Sequence, residues 1–403
     1  MEEKGNTMAE FTAAYFDERT DRRSSGSEKY EPLPPDRHGR EVIPMWVADM
    51  DFRMLPSARA AMEDVLRHGI FGYTLDGADY KSTVAGWYSR RFGWDFPEKA
   101  IVNTPGVIYG VSAGIRLFTA PGDGVLIFEP VYFPFRSTIL ANKRVPVISP
   151  LRNNNGHWEI DFDDLDRKLG DAKAILFCSP HNPVGRVWNK EELERVARLA
   201  KKHDVGVICD EIHSDFVFEG HHIPLASLDG MAERTITCTA PTKTFNMAGI
   251  KGANIIIEND DLRDKFEAEK EMTGNADLNI FSITATKAVY RDGDGWVDAL
   301  IGYIRGNYDI LKEAFPEAGT DAPVTLTHPE GTYLAWLDCR GLAEYGVSDP
   351  WKFFLEEAGI RMNDGKMFGE GGDGFVRMNL GTQHDVVREA VKRMKGSINS
   401  VTK

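Results

Sequence analysis

Four short apolar runs, separated by segments long enough to form helices, constrain the fold of this chain more than any other feature of its sequence. The runs are rich in Val, Ile and Cys and cover residues 125–128, 174–178, 205–209 and 235–239. Strands that are apolar on both faces are typical of parallel sheets with helices packed on both sides. The sequence therefore predicts an α/β fold, with three αβα layers around a mostly parallel sheet.

One of the connecting helices can be predicted in detail. Asn189 is a suitable N-cap, and Glu192 three residues later completes a capping box. The apolar residues that follow share one helical face: Leu193, Val196, Ala197 and Ala200. Because this helix lies between the runs that end at Cys178 and Cys209, we expect it to be the crossover of a βαβ unit.

The chain has 403 residues, which suits two domains. Residues 17–42 are polar and rich in Arg, Ser, Pro and Asp, which favours an extended arm. After a break at 291–295 we expect a helix over 296–315, strands within 332–338 and 375–380, and helices near 351–357 and from 384. We therefore predict an N-terminal arm with part of a small domain (1–54), a large domain (55–294) and a C-terminal small α+β domain (295–403).

Charge and composition argue against several kinds of partner. The formal net charge is −14, which disfavours nucleic acids and anionic membranes. No apolar run approaches the roughly 18 residues of a membrane helix, and residues 1–10 contain no apolar signal segment. The four cysteines lie in or at the end of apolar runs and form no CxxC pair. We expect reduced core cysteines, no metal site and a cytoplasmic location.

Lys243 is the first candidate for chemistry. It follows the run that ends at Thr239, and Phe245, Met247 and other apolar residues surround it. Most lysines are solvated surface charges, but apolar neighbours weaken that interpretation here. A lysine at a water-poor strand end has a lowered pKa and can act as a nucleophile or a base.

Three further segments fall at predicted strand ends or helix starts, where ligands of such sheets bind. Asp210 ends an apolar run, and a carboxylate there needs a partner such as a cationic ring nitrogen, although it can also cap a turn. Asn182 is held extended before Pro183 and can face a ligand, although Asn-Pro also suits a plain turn. The loop at 103–110 leads into a helix whose first N–H groups can bind a phosphate, or it is a simple helix entry.

Together these segments resemble a known family over nearly the whole chain. Asn-Pro-x-Gly at 182–185, Asp-x-x-His at 210–213 and Thr-Lys-Thr-Phe-Asn at 242–246 resemble the fold-type I pyridoxal-5′-phosphate (PLP) enzymes of the class I/II aminotransferase superfamily. Finer motifs are similar to the C–S lyases of the MalY/PatB kind, the cystathionine β-lyases. These motifs are MWVADMDF at 45–52, FGYT at 71–74, PVYFPF at 130–135, DEIH at 210–213, APTKTFN at 240–246 and EGTYLAWLD at 330–338.

The resemblance implies a site for PLP. Lys243 would form a Schiff base with the cofactor and act as a catalytic residue with Asp210 and Tyr132. Asp210 would pair with the pyridine nitrogen, Asn182 would bind the ring 3-oxygen, and Tyr132 would stack on the ring. The phosphate would be held by the backbone amides of Val107 and Ile108, the hydroxyl of Thr242, and Lys251.

Other positions concern the partner subunit and departures from the family pattern. Tyr73 would reach the phosphate in the partner subunit, which implies a homodimer with shared active sites. His213, also expected at the cofactor, stands where aminotransferases commonly have Tyr. Lys251 stands where they commonly have Arg, and it should hold the phosphate less bidentately. Ala240 stands where many relatives have Ser.

The implied reaction is a β-elimination on an amino acid. Arg377 would bind the substrate α-carboxylate through its fork, with Ala48, Asp49 and Tyr333 nearby. Freed Lys243 would remove the Cα proton. L-cystathionine, L-cysteine or related S-conjugates would give a thiol, pyruvate and ammonia.

Two alternative functions remain at this stage. An aminotransferase shares the steps up to loss of the Cα proton and differs only afterwards. A non-catalytic PLP-binding regulator would resemble this domain fused to a basic helix-turn-helix module. The N-terminal arm is too short for such a module, and the negative net charge also disfavours this interpretation.

Overall fold

The structure is a computed structural model that describes residues 11–274 and 278–403; the prediction for residues 1–10 lies outside these ranges. The α-helices are α1 (Ala13–Asp17), α2 (Pro56–His68), α3 (Tyr80–Phe92), α4 (Val107–Phe118), α5 (Pro134–Ala141), α6 (Phe162–Lys168), α7 (Lys190–Lys202), α8 (Pro241–Thr244), α9 (Asp260–Met272), α10 (Ile280–Asp292), α11 (Asp294–Ala314), α12 (Pro350–Phe353) and α13 (His384–Thr402). The strands are β1 (Ile43–Pro44), β2 (Ile101–Thr104), β3 (Gly124–Ile127), β4 (Val145–Ile148), β5 (Arg152–Asn154), β6 (His157–Glu159), β7 (Ala172–Cys178), β8 (Gly206–Asp210), β9 (Thr235–Thr239), β10 (Ala253–Ile256), β11 (Thr325–Leu326), β12 (Leu334–Asp338), β13 (Ile360–Arg361), β14 (Asn363–Asp364) and β15 (Phe375–Asn379).

The central sheet has seven strands in the order β2-β10-β9-β8-β7-β3-β4. Neighbouring strands from β9 to β4 pair in parallel, whereas β10 runs antiparallel to both of its neighbours. The four apolar runs correspond to β3, β7, β8 and β9, with ends that differ by at most two residues. The predicted mostly parallel α/β sheet is therefore confirmed.

The side chains of this sheet divide between its two faces with the period of a strand. Val207 and Cys209 of β8 pack into the cluster that contains Leu193 of α7. Ile208 between them packs into the cluster that contains Val111 of α4. Helices therefore cover both faces, as predicted for strands that are apolar throughout.

Two local features hold these helices in place. In α7 the predicted capping box is present: the Glu192 backbone N–H donates to Asn189 Oδ1 at 2.9 Å, and the Asn189 N–H donates to Glu192 Oε2 at 2.9 Å. In α4, Gly114 allows close approach to the sheet, because a Cβ there would lie 2.9 Å from Ile208. This approach brings the first turn of α4 to the edge where β8 and β9 end.

The C-terminal region forms a second, antiparallel sheet in the order β11-β12-β15-β14. Helix α11 corresponds to the predicted helix at 296–315, but it begins two residues earlier and ends one residue earlier. The predicted helix near 351–357 is instead the four-residue α12 followed by a π-helical turn, Phe354–Ala358. β1 pairs in parallel with β13, so part of the N-terminal arm belongs to this region. The boundaries at 54 and 294 stay predictions.

The cysteines and the helices can be compared with the predicted redox state and with the predicted lack of a membrane span. All four cysteines are free and buried, as predicted; the cytoplasmic location inferred from them stays a prediction. In the part of the chain that the structure describes, no helix combines the length and the apolar character needed to cross a membrane.

Candidate active site

A cavity of about 650 Å³ opens beside the carboxyl ends of β7 and β8 and the loop that follows β9. The predicted site residues that line it are Ala48, Val107, Ile108, Tyr132, Asn182, Asp210, His213, Thr242, Lys243, Lys251 and Arg377. The residues that follow β7, β8 and β9 meet here because parallel strands end at a common edge. Ala48 and Arg377 instead come from the segment after β1 and from the second sheet. The predicted site residues that do not line the cavity are Asp49, Tyr73 and Tyr333.

Lys243 lies in the short helix α8, directly after β9. Its Nζ donates a hydrogen bond to the carbonyl oxygen of Ala48. Burial, and after it the nearby charge of Arg377, lower the pKa of Lys243 to about 8, against opposing effects of Asp49 and Asp210. A substantial fraction of this amine is therefore neutral near pH 8, as a nucleophile or general base requires.

Asp210 is the last residue of β8, and only 4% of it is exposed. Burial raises the pKa of its carboxyl group to about 7, although the Ile212 N–H donates to Oδ1 at 3.1 Å and opposes the rise. Among residues 11–274 and 278–403, no basic side chain forms an ion pair with it. A cationic ring nitrogen in the cavity would supply the missing partner and keep the carboxylate ionised.

Arg377 lies on β15 and is 3% exposed. Its Nη1 donates to Asn182 Oδ1 at 3.0 Å, and its Nη2 donates to Asn363 Oδ1 at 2.7 Å and to the Trp46 carbonyl at 3.1 Å. Burial lowers the pKa of the guanidinium to about 10, so it stays charged at neutral pH. Within the described chain all of these partners are neutral, and Nε has none. This buried cation is suited to binding an incoming carboxylate.

The amide of Asn182 has a defined orientation because Arg377 occupies its oxygen. Its Nδ2 group is left to donate to a ligand oxygen in the cavity. Tyr132 contributes a partly buried ring to the same cavity and contacts Phe135 edge-on at 5.8 Å between ring centroids. Together these side chains can orient a planar ring that carries an oxygen substituent.

The first turn of α4 forms the anion-binding part of the cavity. Its free backbone N–H groups include those of Val107 and Ile108, and the positive end of a helix favours phosphate. Thr242 and Lys251 also line this cavity. Lys251 has φ 62° and ψ −173°, a conformation that costs about 1–3 kcal/mol for a residue with a side chain. The Ser282 hydroxyl, which donates to the Lys251 carbonyl at 3.0 Å, helps to hold it there.

His213 and Tyr333 lie side by side, with ring centroids 5.6 Å apart. Burial holds the pKa of His213 well below its usual value, so the imidazole is neutral, and its Nδ1 has no hydrogen-bond partner among the described residues. Tyr333 is fully buried, and its hydroxyl donates to the Ala48 carbonyl at 2.9 Å. It therefore supports the same carbonyl that accepts from Lys243.

Asp49 and Tyr73 have surroundings outside the cavity lining. The Asp49 carboxylate pairs with Arg22 at 2.7 Å, which ties it to the N-terminal arm. Tyr73 lies in the segment between α2 and α3 and is fully exposed. The role predicted for Tyr73 in the partner subunit stays a prediction.

The cavity also contains residues that sequence reasoning missed, among them Glu28, Trp46, Phe133 and Asn363. Glu28 lies in the arm, where there is no hydrophobic periodicity to place it. Asn363 belongs to a two-residue strand, which is too short to produce a pattern. Trp46 belongs to the motif MWVADMDF at 45–52. Of this motif, only Ala48 and Asp49 were predicted to lie at the site.

The chain is similar to known proteins over most of its length. The family model described as aminotransferase class I and II matches residues 40–394. The chain belongs to this family. It is 39% identical to cystathionine beta-lyase PatB of Bacillus subtilis (strain 168) over 391 residues, which is 95% of this chain and 100% of that protein. It is 34% identical to protein MalY of Escherichia coli (strain K12), covering 91% of this chain and 94% of that protein.

A solved structure extends the comparison to three dimensions. Cystalysin from Treponema denticola, described as containing a pyridoxal 5′-phosphate cofactor, superposes with a TM-score of 0.89 and 36% identity. The match covers 96% of this chain and 98% of that one. The resemblance to fold-type I enzymes inferred from motifs is therefore confirmed.

The residues of this cavity fit PLP group by group. The buried Asp210 carboxyl lacks an ionic partner and suits a pyridine nitrogen, and the Lys243 amine suits an aldehyde. The free N–H groups of α4 suit a phosphate. The Asn182 Nδ2 group suits the ring 3-oxygen.

Proposed function

We propose that this protein is a PLP-dependent C–S β-lyase, which converts L-cystathionine or related S-conjugates of L-cysteine, with one water, to a thiol, pyruvate and ammonia. The observation that carries the proposal is a half-buried lysine, Lys243, and two buried charged residues without ion-pair partners in the described chain, Asp210 and Arg377, that line one cavity. The full-length similarity to a cystathionine beta-lyase supports the choice of reaction.

The roles follow from the chemistry of each side chain. When bound, PLP withdraws electrons from the substrate Cα and so makes its proton acidic. Arg377 would hold the α-carboxylate through its guanidinium fork. Lys243 Nζ, neutral in part near pH 8, would accept the Cα proton and hold it while the β-sulfur departs. Asp210 would keep the ring nitrogen protonated, and Asn182 would donate to the ring oxygen.

We also propose a homodimer in which Tyr73 serves the partner subunit's site. Four large apolar side chains are exposed in one short segment between α2 and α3: Ile70, Phe71, Tyr73 and Leu75. A cluster of exposed apolar side chains marks an interaction surface. A second copy of the chain would cover this segment. Tyr73 would then contact the phosphate site of the partner subunit, since it does not line the cavity of its own chain.

Purified holoenzyme with L-cystathionine as the sole substrate tests the reaction. We expect pyruvate and ammonia in equal amounts without any added keto acid, and loss of both in a Lys243→Ala variant. An aminotransferase would give product only when a keto acid is supplied, and that result would overturn the lyase proposal. Binding of PLP with no turnover of any amino acid would instead favour a regulator.

A further inference from the structure

The proposed reaction leaves one charged side chain of the cavity without a role. In the described part of the chain, five residues with formal charges line the cavity: Glu28, Asp210, Lys243, Lys251 and Arg377. Every one except Glu28 has a partner in the cofactor or in the amino-acid part of the substrate. Glu28 is exposed, which puts it at the mouth of the cavity. None of the described Lys, Arg or His side chains forms an ion pair with it.

Charged side chains fix the residues on both sides of Glu28: Lys29 through an ion pair, and Ser27 through a hydrogen bond from Arg22. Glu28 begins a 3₁₀ helix, Glu28–Tyr30. Lys29, whose side chain has no exposed surface, pairs with Asp51 at 2.7 Å. On the other side, Arg22 Nη2 donates to the Ser27 hydroxyl at 2.9 Å. Buried ion pairs contribute little net stability but require a defined geometry, so this arm presents Glu28 at a fixed place.

Glu28 lies on the side of the cavity where the substrate carboxylate would bind. The Trp46 indole N–H donates to the Lys29 carbonyl at 3.2 Å, and the Trp46 carbonyl accepts from Arg377 at 3.1 Å. Burial is the main cause of the raised pKa of Tyr132; Asp210 and, more weakly, Glu28 add to the rise, whereas Arg377 opposes it. Glu28 and Arg377 therefore line one cavity and are linked through Trp46.

The positions of the three groups on the substrate Cα determine which part of the substrate lies at the mouth of the cavity. The α-carboxylate would bind Arg377, and the α-amino group would lie at Lys243, both inside the cavity. The remaining side chain, with its sulfur substituent, must extend into the open part of the cavity, beside Trp46, Phe133 and Glu28. Two of these residues are aromatic, and the third offers a single negative charge.

We propose that Glu28 binds a cationic group at the far end of the sulfur substituent. The enzyme would then prefer S-substituted cysteines whose leaving thiol carries an ammonium group over neutral or anionic analogues. The far end of L-cystathionine carries such an ammonium group beside a carboxylate, so the three-way comparison uses substituents with a single charge or none. This preference presupposes the proposed lyase function and makes Glu28 a determinant of its specificity.

The test compares three substrates of similar length on the holoenzyme: S-(2-aminoethyl)-, S-propyl- and S-(2-carboxyethyl)-L-cysteine. We expect kcat/KM for pyruvate release to be about tenfold higher for the aminoethyl than for the propyl compound, which corresponds to one well-placed ionic contact. Glu28→Gln should reduce this ratio by about 3–10-fold, and Glu28→Lys should favour the carboxyethyl compound. A ratio that is the same in wild type and Glu28→Gln would overturn the proposal.

A matched control is Glu31→Gln, which removes the same charge from the same arm at a residue outside the cavity lining. It should leave the ratio at the wild-type value, and an equal drop would also overturn the proposal. Calorimetric Kd values for the aminoethyl and propyl compounds on the PLP-loaded Lys243→Ala protein give a second readout without turnover. If neither L-cystathionine nor any of the three compounds yields pyruvate, the lyase proposal fails, while the ratio of these Kd values still decides the role of Glu28.

Discussion

Arg377 donates to Asn182 across 3.0 Å and so joins the second sheet to the loop after β7, at residues 195 positions apart in the chain. The bond has two consequences for the site. It leaves the Asn182 Nδ2 group free for a ligand, and it holds the guanidinium without neutralising it. The substrate carboxylate and the ring oxygen of the cofactor would therefore be recognised by one connected pair of side chains.

Replacing Arg377 by Lys should lower kcat/KM for L-cystathionine by about 10²-fold or more. An ammonium group cannot bond Asn182, Asn363 and a carboxylate in the fork geometry of a guanidinium. Steady-state kinetics would show the loss mainly in KM. Arg340→Lys, at an exposed arginine paired with Asp338, is the matched control and should keep wild-type kinetics.

The chemical reactivity of Lys243 in the cofactor-free protein should rise through pH 8. Burial lowers its pKa to about 8, so the neutral amine appears there, about two pH units below an ordinary lysine. Reductive alkylation at a series of pH values, followed by peptide mapping, would measure this. If Lys243 reacted only near pH 10, with the surface lysines, the assigned environment would be wrong.

The free energy of unfolding of the cofactor-free protein should change with pH because of Asp210. Its folded-state pKa of about 7 lies above the unfolded value, so its contribution is fully favourable below about pH 4 and is lost as pH rises through 7. At about 1.4 kcal/mol for each pKa unit, the loss amounts to about 4 kcal/mol.

Asp210→Asn removes this titration. In urea unfolding of the cofactor-free protein, the variant should gain about 3 kcal/mol over wild type on going from pH 5 to pH 8, because this range covers about two of the pKa units by which Asp210 is raised. Activity should fall by about 10²-fold or more, because the ring nitrogen would lose its carboxylate. Parallel pH profiles for the two proteins would contradict the prediction.

Lys29→Met should destabilise the protein by about 3 kcal/mol, because it leaves the buried Asp51 carboxylate with Arg22 as its remaining cation. Urea unfolding at pH 7 would measure the change. The double variant Lys29→Met/Asp51→Leu should recover most of the loss, since it removes both buried charges. A double variant that is less stable than the single one would argue against this account.

Tyr73→Ala and Lys243→Ala should complement each other if sites are shared between subunits. Each variant alone should be nearly inactive, but mixed dimers contain one site with both residues. Reassembly of an equal mixture should then restore about a quarter of the wild-type activity. Size-exclusion chromatography would report the dimer, and a lack of recovery despite mixed dimers would contradict the shared site.

The sequence by itself determined the sheet and the chemistry at its edge. Strands that are apolar on both faces require helices on both sides, and parallel strands end at one edge, so Asp210 and the loop with Lys243 had to meet there. The capping box of α7 was equally readable, because its two residues are three positions apart. The strands and the capping box were predictable because each depends on residues that are only a few positions apart in the chain.

Only the tertiary structure decided which distant segments complete the cavity. The arm has no periodicity, so nothing local places Glu28 at the mouth or directs Asp49 to Arg22. The bonds from Arg377 to Asn182 and Asn363, and from Tyr333 to the Ala48 carbonyl, join strands and loops through packing of the second sheet. Contacts between residues hundreds of positions apart depend on how whole elements pack, and short-range sequence patterns do not encode that packing.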